Sequence, residues 1–110
     1  GIDLQRHQSC RMELIAKRFY HPKEAAWFNG KGQEAFFLVW TAKESYVKFT
    51  GEGITDDFAA FSVVDDNGNI DACNRVFFQH IPFSEDYSLC ICTPGRAAAE
   101  IVYETDKKFF

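Results

Sequence analysis

An all-β fold, an antiparallel β-sandwich of jelly-roll type with about eight short strands, is what this sequence predicts. Three observations predict it. The first is composition. Of 110 residues, 16% are aromatic and 12 are phenylalanine, flat bulky side chains that suit pleated surfaces and sheet-on-sheet packing. The second is punctuation. Asn29-Gly30-Lys31-Gly32, Gly51-Glu52-Gly53, Asp66-Asn67-Gly68 and Pro94-Gly95 set turn signals between short apolar segments. The third is the stretch Phe58–Phe78, which reads as two strands joined by a turn. Residues 1–110 are expected to form a single β-rich domain, a length that suits one domain and is short for two.

In order along the chain, residues 10–19, CRMELIAKRF, carry two periods. Leu14, Ile15, Arg18 and Phe19 have helical spacing, whereas Met12, Leu14 and Ala16 alternate; a strand is expected. Tyr20-His21-Pro22 ends it, because a residue before proline avoids the helical region. Ala25–Phe28 follows and stops at the Asn29–Gly32 turn. Residues 34–42, EAFFLVWTA, are a near-continuous apolar run, expected as a central strand buried on both faces. Residues 46–50, YVKFT, alternate and end at Gly51. In the hairpin, a two-residue loop at Asn67-Gly68 would mix apolar and polar groups on both faces. A three-residue loop at Asp66-Asn67-Gly68 pairs Val64 with Ile70, Ser62 with Ala72 and Phe58 with Val76, leaving one face mostly apolar. That register is expected, with Gly68 in the left-handed region. A polar break at residues 82–86 precedes a strand at Tyr87–Thr93. Ala99–Thr105 reads as a last strand before a charged and aromatic tail ending in Phe109-Phe110.

The net charge is −4. Non-specific nucleic-acid or anionic-membrane binding needs an excess of Lys and Arg, so neither partner is expected. The first quarter is locally basic, with Arg6, Arg11, Lys17, Arg18 and Lys23 beside His7 and His21, whereas the acids gather later. That asymmetry is either an uneven solvated surface or a seat for an anionic partner. No apolar run approaches the ~20 residues of a membrane span. The start at Gly1-Ile2-Asp3 fits a mature chain whose leader was removed. Four cysteines, Cys10, Cys73, Cys90 and Cys92, are an even count in a small domain and favour a secreted, disulfide-bearing protein. Cys90 and Cys92 point to the same side of a strand and are poor partners for each other. Two bridges would join Cys10 and Cys73 to Cys90 and Cys92 in either of two ways; the alternative is one bridge or none, with the remainder as small buried hydrophobes.

No constellation carries a clear chemistry. Asp65, Asn67, Asn69 and Asp71 alternate like calcium ligands, but an EF-hand loop starting at Asp65 would need glycine at Ile70 and glutamate at Val76. Turn chemistry accounts for these residues. A C-x-C pair with no second close pair is a weak zinc signal, and a Cys–His nucleophile using His80 lacks the electropositive setting of a reactive thiolate. No metal and no cofactor is expected. Glu34, Arg75 and His80 match by type the acid–base groups of small secreted ribonucleases, and NRVFF resembles their arginine-bearing strand. CICTPG stands where those enzymes place a histidine, so no catalytic residue is assigned. Trp27-Phe28 beside a glycine-rich turn is either core or a stacking platform for a sugar ring. The expected binding residues are Asp66, Asn67, Asp71 and Arg75 around the hairpin tip, with Trp27.

The whole chain resembles a small secreted effector of a plant-pathogenic fungus, of the rust avirulence type. The resemblance rests on size, few cysteines, phenylalanine-rich segments such as EAFFLVW and the lack of an enzyme motif. It implies a β-sandwich without activity, a virulence protein that contacts a host protein and is recognised by a host immune receptor. Delivery into a host cell would leave the cysteines reduced. The expected function is therefore a secreted, non-enzymatic binding protein. A carbohydrate-binding module with a glycan partner is the first alternative, and a ribonuclease-like hydrolase is the second.

Overall fold

A computed structural model describes residues 1–8, 10–51, 56–82 and 84–95. Its elements are β1 (Ile2–Arg6), α1 (Met12–Phe19), α2 (Pro22–Phe28), α3 (Gln33–Thr50), a 3-10 turn at Asp56–Ala59, β2 (Ala72–Cys73), β3 (Val76–His80) and β4 (Tyr87–Thr93). The four strands form one sheet in the order β1-β4-β3-β2, and each neighbouring pair is antiparallel. Helix α3 packs against β1 and β4. This is an α+β layer arrangement, which corrects the expected all-β sandwich.

The correction is largest at residues 34–50. The run read there as two strands is one helix of 18 residues. Phe36, Phe37, Val39, Ala42 and Val47 are all buried, and a helix that buries residues on several sides loses the amphipathic stripe that would distinguish it from a buried strand. Gly51, at φ 80°, closes it in the left-handed region, and its N–H donates to Val47 O.

Residues 12–19 also choose the helical period. Ala16 is buried and Phe19 meets the rings of Trp40 and Phe58. Tyr20 leaves the helix in extended geometry before Pro22, as the proline rule requires. His21 then caps α2: its Nδ1 accepts from Lys23 N at 3.1 Å, and Glu24 Oε1 accepts from His21 N at 2.7 Å. Pro22 sits at the first helical position, where its missing N–H costs nothing.

The expected hairpin over Phe58–Phe78 is absent. Its first arm is the 3-10 turn followed by bends. Asp65 organises the tip instead, its Oδ1 accepting from Asn67 N and Asn69 N at 2.9 Å each, with Gly68 at φ 80°. The pairing that does form is tighter and later. Cys73 lies opposite Val76, and Asn74 and Arg75 make the connection at φ 48° and 69°. Two consecutive positive φ values are what a two-residue hairpin turn between twisted strands demands. The segment Tyr87–Thr93 is a strand. Ala99–Thr105 and Phe109-Phe110 lie outside the described residues.

Aromatic side chains build the core between helices and sheet. Tyr20 stacks on Phe36, which stacks in turn on Trp40, and Tyr20 Oη donates to Phe36 O at 2.6 Å. At the edge of this cluster lies a fully buried ion pair, Glu24 Oε1 to Lys43 Nζ at 2.8 Å, with neither side chain exposed. Lys43 also donates to Phe61 O at 2.8 Å and lies over the Phe61 and Phe58 rings at 4.0 and 5.0 Å. Glu24 Oε2 accepts from Val63 N at 2.8 Å. Burial favours the neutral form of both groups, and each charge pulls the other back. Removing one partner strands the other. Lys43→Met is expected to cost roughly 3–5 kcal/mol in urea unfolding, and Glu24→Gln/Lys43→Met to recover most of it. A double variant no more stable than the single one would contradict this assignment.

Candidate functional site

Strand β1 alternates. Ile2 and Leu4 are 55% and 49% exposed on the outer face of the sheet, so Asp3 and Gln5 turn to the other side, toward α3. Close approach of strand and helix depends on small groups. A Cβ on Gly1 would stand 2.1 Å from Ser45 O and 2.7 Å from Phe49 N. Ser45 Oγ lies 3.6 Å from Cys90 Sγ, and Cys90 is the strand partner of Asp3.

That approach places Asp3 against the C-terminal half of α3. Asp3 is 6% exposed. Its Oδ1 accepts from Lys48 Nζ at 2.7 Å. Its Oδ2 is buried without a hydrogen-bond partner, which is costly for a carboxylate oxygen. Glu44 lies one turn before Lys48 on the same helix face. Burial raises the Glu44 carboxyl above its ordinary range, the negative charge of Asp3 raises it further, and Lys48 pulls it back. Two carboxylates and one ammonium thus meet across β1 and α3, with one negative charge in excess and one oxygen unsatisfied.

Such a site fits a divalent cation. Asp3 Oδ2 and the Glu44 carboxylate would hold it. Among the described residues no group of three or more His, Cys, Asp or Glu side chains gathers to hold a metal, so remaining positions would fall to water or to a ligand oxygen. Mg²⁺ is commonly bound in this way, by one or two carboxylates together with substrate phosphates.

The residues singled out from sequence lie elsewhere. Asp66, exposed at the turn, pairs with Lys23, and Asn67 is exposed beside it. Asp71 and Arg75 are exposed on either side of β2, and Asp71 O accepts from Phe78 N at 2.8 Å. Trp27 is half-buried, packed on the core cluster, with Lys31 Nζ 5.3 Å from its ring centre. All four cysteines are free. Cys90 and Cys92 are buried in β4, and burial pushes the Cys90 thiol up to about 12, so it stays protonated and inert. Glu34 and His80 both line one cavity of about 820 Å³, with His7, Glu85 and Ser88. Arg75 does not line it. Burial lowers the proton affinity of His80, whose Nε2 lies 3.0 Å from Leu38 O. No lysine or arginine is among the described residues that wall this cavity, so it is poorly suited to an anionic substrate.

Sequence reading missed Asp3, Glu44 and Lys48. The signal was present as Trp40, Glu44 and Lys48, four apart, with Lys43 beside them: charged groups entering an apolar run at helical period. If Asp3 and Glu44 hold a cation, Mg²⁺ raises the unfolding temperature of the wild-type chain. At a hundredfold excess over Kd the gain is about 2.7 kcal/mol. Asp3→Asn is expected to abolish the Mg²⁺-dependent shift in a thermal melt, whereas an equal shift in both proteins would place the cation elsewhere.

The chain as a whole is similar to known proteins. The family model for the 4'-phosphopantetheinyl transferase superfamily matches residues 1–92. A 4'-phosphopantetheinyl transferase of Bacillus subtilis is 29% identical over 84% of this chain and 45% of its own length. The 4'-phosphopantetheinyl transferase psf-1 of Bacillus pumilus is 31% identical over 93% of this chain and 48% of its own. The transferase gsp of Aneurinibacillus migulanus is 40% identical over 49% of this chain and 24% of its own. The chain therefore spans less than half the length of these curated relatives. The match overturns the resemblance to a fungal effector, since the relatives are bacterial and are named as transferases. It overturns with it the expected non-enzymatic function, the host-receptor and glycan partners, and the carbohydrate-binding and ribonuclease alternatives. The expected secretion as an effector falls with that likeness. By its fold-wide match this chain belongs to the 4'-phosphopantetheinyl transferase superfamily.

Proposed function

We propose that this chain acts in transfer of a 4'-phosphopantetheinyl group from coenzyme A to a hydroxyl of a carrier-protein domain. The observation that carries the reading is the buried, unpartnered Oδ2 of Asp3 beside Glu44 and Lys48, in a chain of this superfamily. The donor holds its group through a pyrophosphate. Transfer joins the acceptor oxygen to one phosphorus as the bond to the departing nucleotide phosphate breaks, and the hydroxyl proton passes to solvent. Phosphoryl-type transfer is governed by positioning and charge compensation rather than by covalent help from the protein.

The residues divide that work. Asp3 and Glu44 alone would repel a pyrophosphate. A divalent cation, when bound between them, supplies the positive charge that a phosphate needs. Lys48 contributes a second positive group: its side chain is half exposed, so it can keep Asp3 as a partner and still face a phosphate oxygen. Lys43 takes no part, because it is buried and spent on Glu24.

The test is transfer of a fluorescent coenzyme A label to a carrier-protein domain in the presence of Mg²⁺. Asp3→Asn and Glu44→Gln are each expected to lower the rate by about 100-fold or more, and Lys48→Met to lower it by about tenfold or more. Undiminished labelling by Asp3→Asn, or label transfer insensitive to chelation of divalent ions, would sink the reading.

A further inference from the structure

We infer that Glu24 is a positioning residue for the Asp3–Glu44 site: its buried ion pair with Lys43 sets the rotation of α3 and so aims Glu44 at β1. The inference rests on the cation-site reading above. Lys43 and Glu44 are consecutive, and consecutive helical residues point about 100° apart. Wherever the Lys43 side chain is held, the direction of Glu44 follows.

Lys43 is held from several sides. Its Nζ meets Glu24 Oε1 and Phe61 O, each at 2.8 Å, and lies 4.0 Å from the Phe61 ring centre. Glu24 is held as firmly. Oε1 also accepts from His21 N at 2.7 Å, and Oε2 accepts from Val63 N at 2.8 Å. The pair therefore pins α3 to the start of α2 and to the segment through Val63. Apolar packing alone tolerates a few degrees of helix roll, because Phe36, Phe37, Val39, Ala42 and Val47 present core on several sides of the helix. A short, directional ion pair with both partners anchored does not. Glu24 itself touches neither Asp3 nor Glu44 among the contacts of its two oxygens. It acts through Lys43 and the helix.

The test measures Mn²⁺ affinity by titration, at a temperature where circular dichroism shows each variant folded. Glu24→Gln keeps the size of the side chain and removes its charge. It is expected to weaken Mn²⁺ binding about tenfold, the lower range for residues that orient metal ligands from behind. Val76→Ala, a core truncation in β3, serves as the stability control and is expected to leave Mn²⁺ affinity within about twofold despite a lowered melting temperature. Glu24→Asp keeps the charge but withdraws it by one methylene, and an intermediate loss of about threefold is expected. This variant decides the matter if Glu24→Gln does not fold. Equal weakening in Glu24→Gln and Val76→Ala, or unchanged affinity in Glu24→Gln or Glu24→Asp, would overturn the positioning role and leave the cation site standing. No Mn²⁺ binding by the wild-type chain would overturn both.

Discussion

A carboxylate and an ammonium group, Glu24 and Lys43, lie 2.8 Å apart with no exposed surface on either side chain. Removing two charges from water costs several kcal/mol per ion, and only excellent geometry with saturated hydrogen bonding offsets it. That condition is met here. Two backbone N–H groups, one backbone carbonyl and two aromatic faces surround the pair. The segments that supply them come from α2, α3 and the chain leading to Val63, which are remote in sequence. A pair that is tolerable only when all of them are in place makes their relative positions a requirement rather than a preference.

The consequences run outward along α3. One side of the helix is committed to Glu24 through Lys43. The next residue, Glu44, feels the charge of Asp3 on β1, and Lys48 follows it one turn later. On the opposite wall, Gly1 lets the start of β1 lie against the backbone of Ser45 and Phe49. Asp3 is carried into that seam with one oxygen paired and one not. The buried pair is fully satisfied and inert, whereas the neighbouring charges are incompletely satisfied. In the function proposed for this chain, that contrast separates the group that holds the fold from the groups that would meet a ligand.

Parts of this were legible in the sequence, and the failures share a cause. Residues 87–93 alternate between turn signals and form a strand. The Asp65–Asn69 segment reads as turn chemistry, and Asp65 does fold it through an Asx turn. By contrast, AFFLVW within EAFFLVWTA is apolar at every position, and periodicity cannot separate a buried helix from a buried strand in such a run. Ending that run at Ala42 left Lys43, Glu44 and Ser45 between two supposed strands, which hid the site. Phenylalanine-rich composition suits sheet-on-sheet packing, but Phe19, Phe28, Phe36, Phe37 and Phe58 pack edge to face among the helices and the 3-10 turn. Asp3 could not be recognised as buried from a strand of five residues, because burial of a charge is decided by what packs on it. The Glu24–Lys43 pair spans 19 positions and has no local signature at all.

The most direct measurement is the anomalous scattering of a crystal of this chain soaked in Mn²⁺. The account predicts a peak in the seam between β1 and α3, coordinated by Asp3 Oδ2 and the Glu44 carboxylate, with Lys43 still paired to Glu24. A peak confined to the Asp65–Asp71 turn, or no peak beside Asp3 at saturating Mn²⁺, would contradict it.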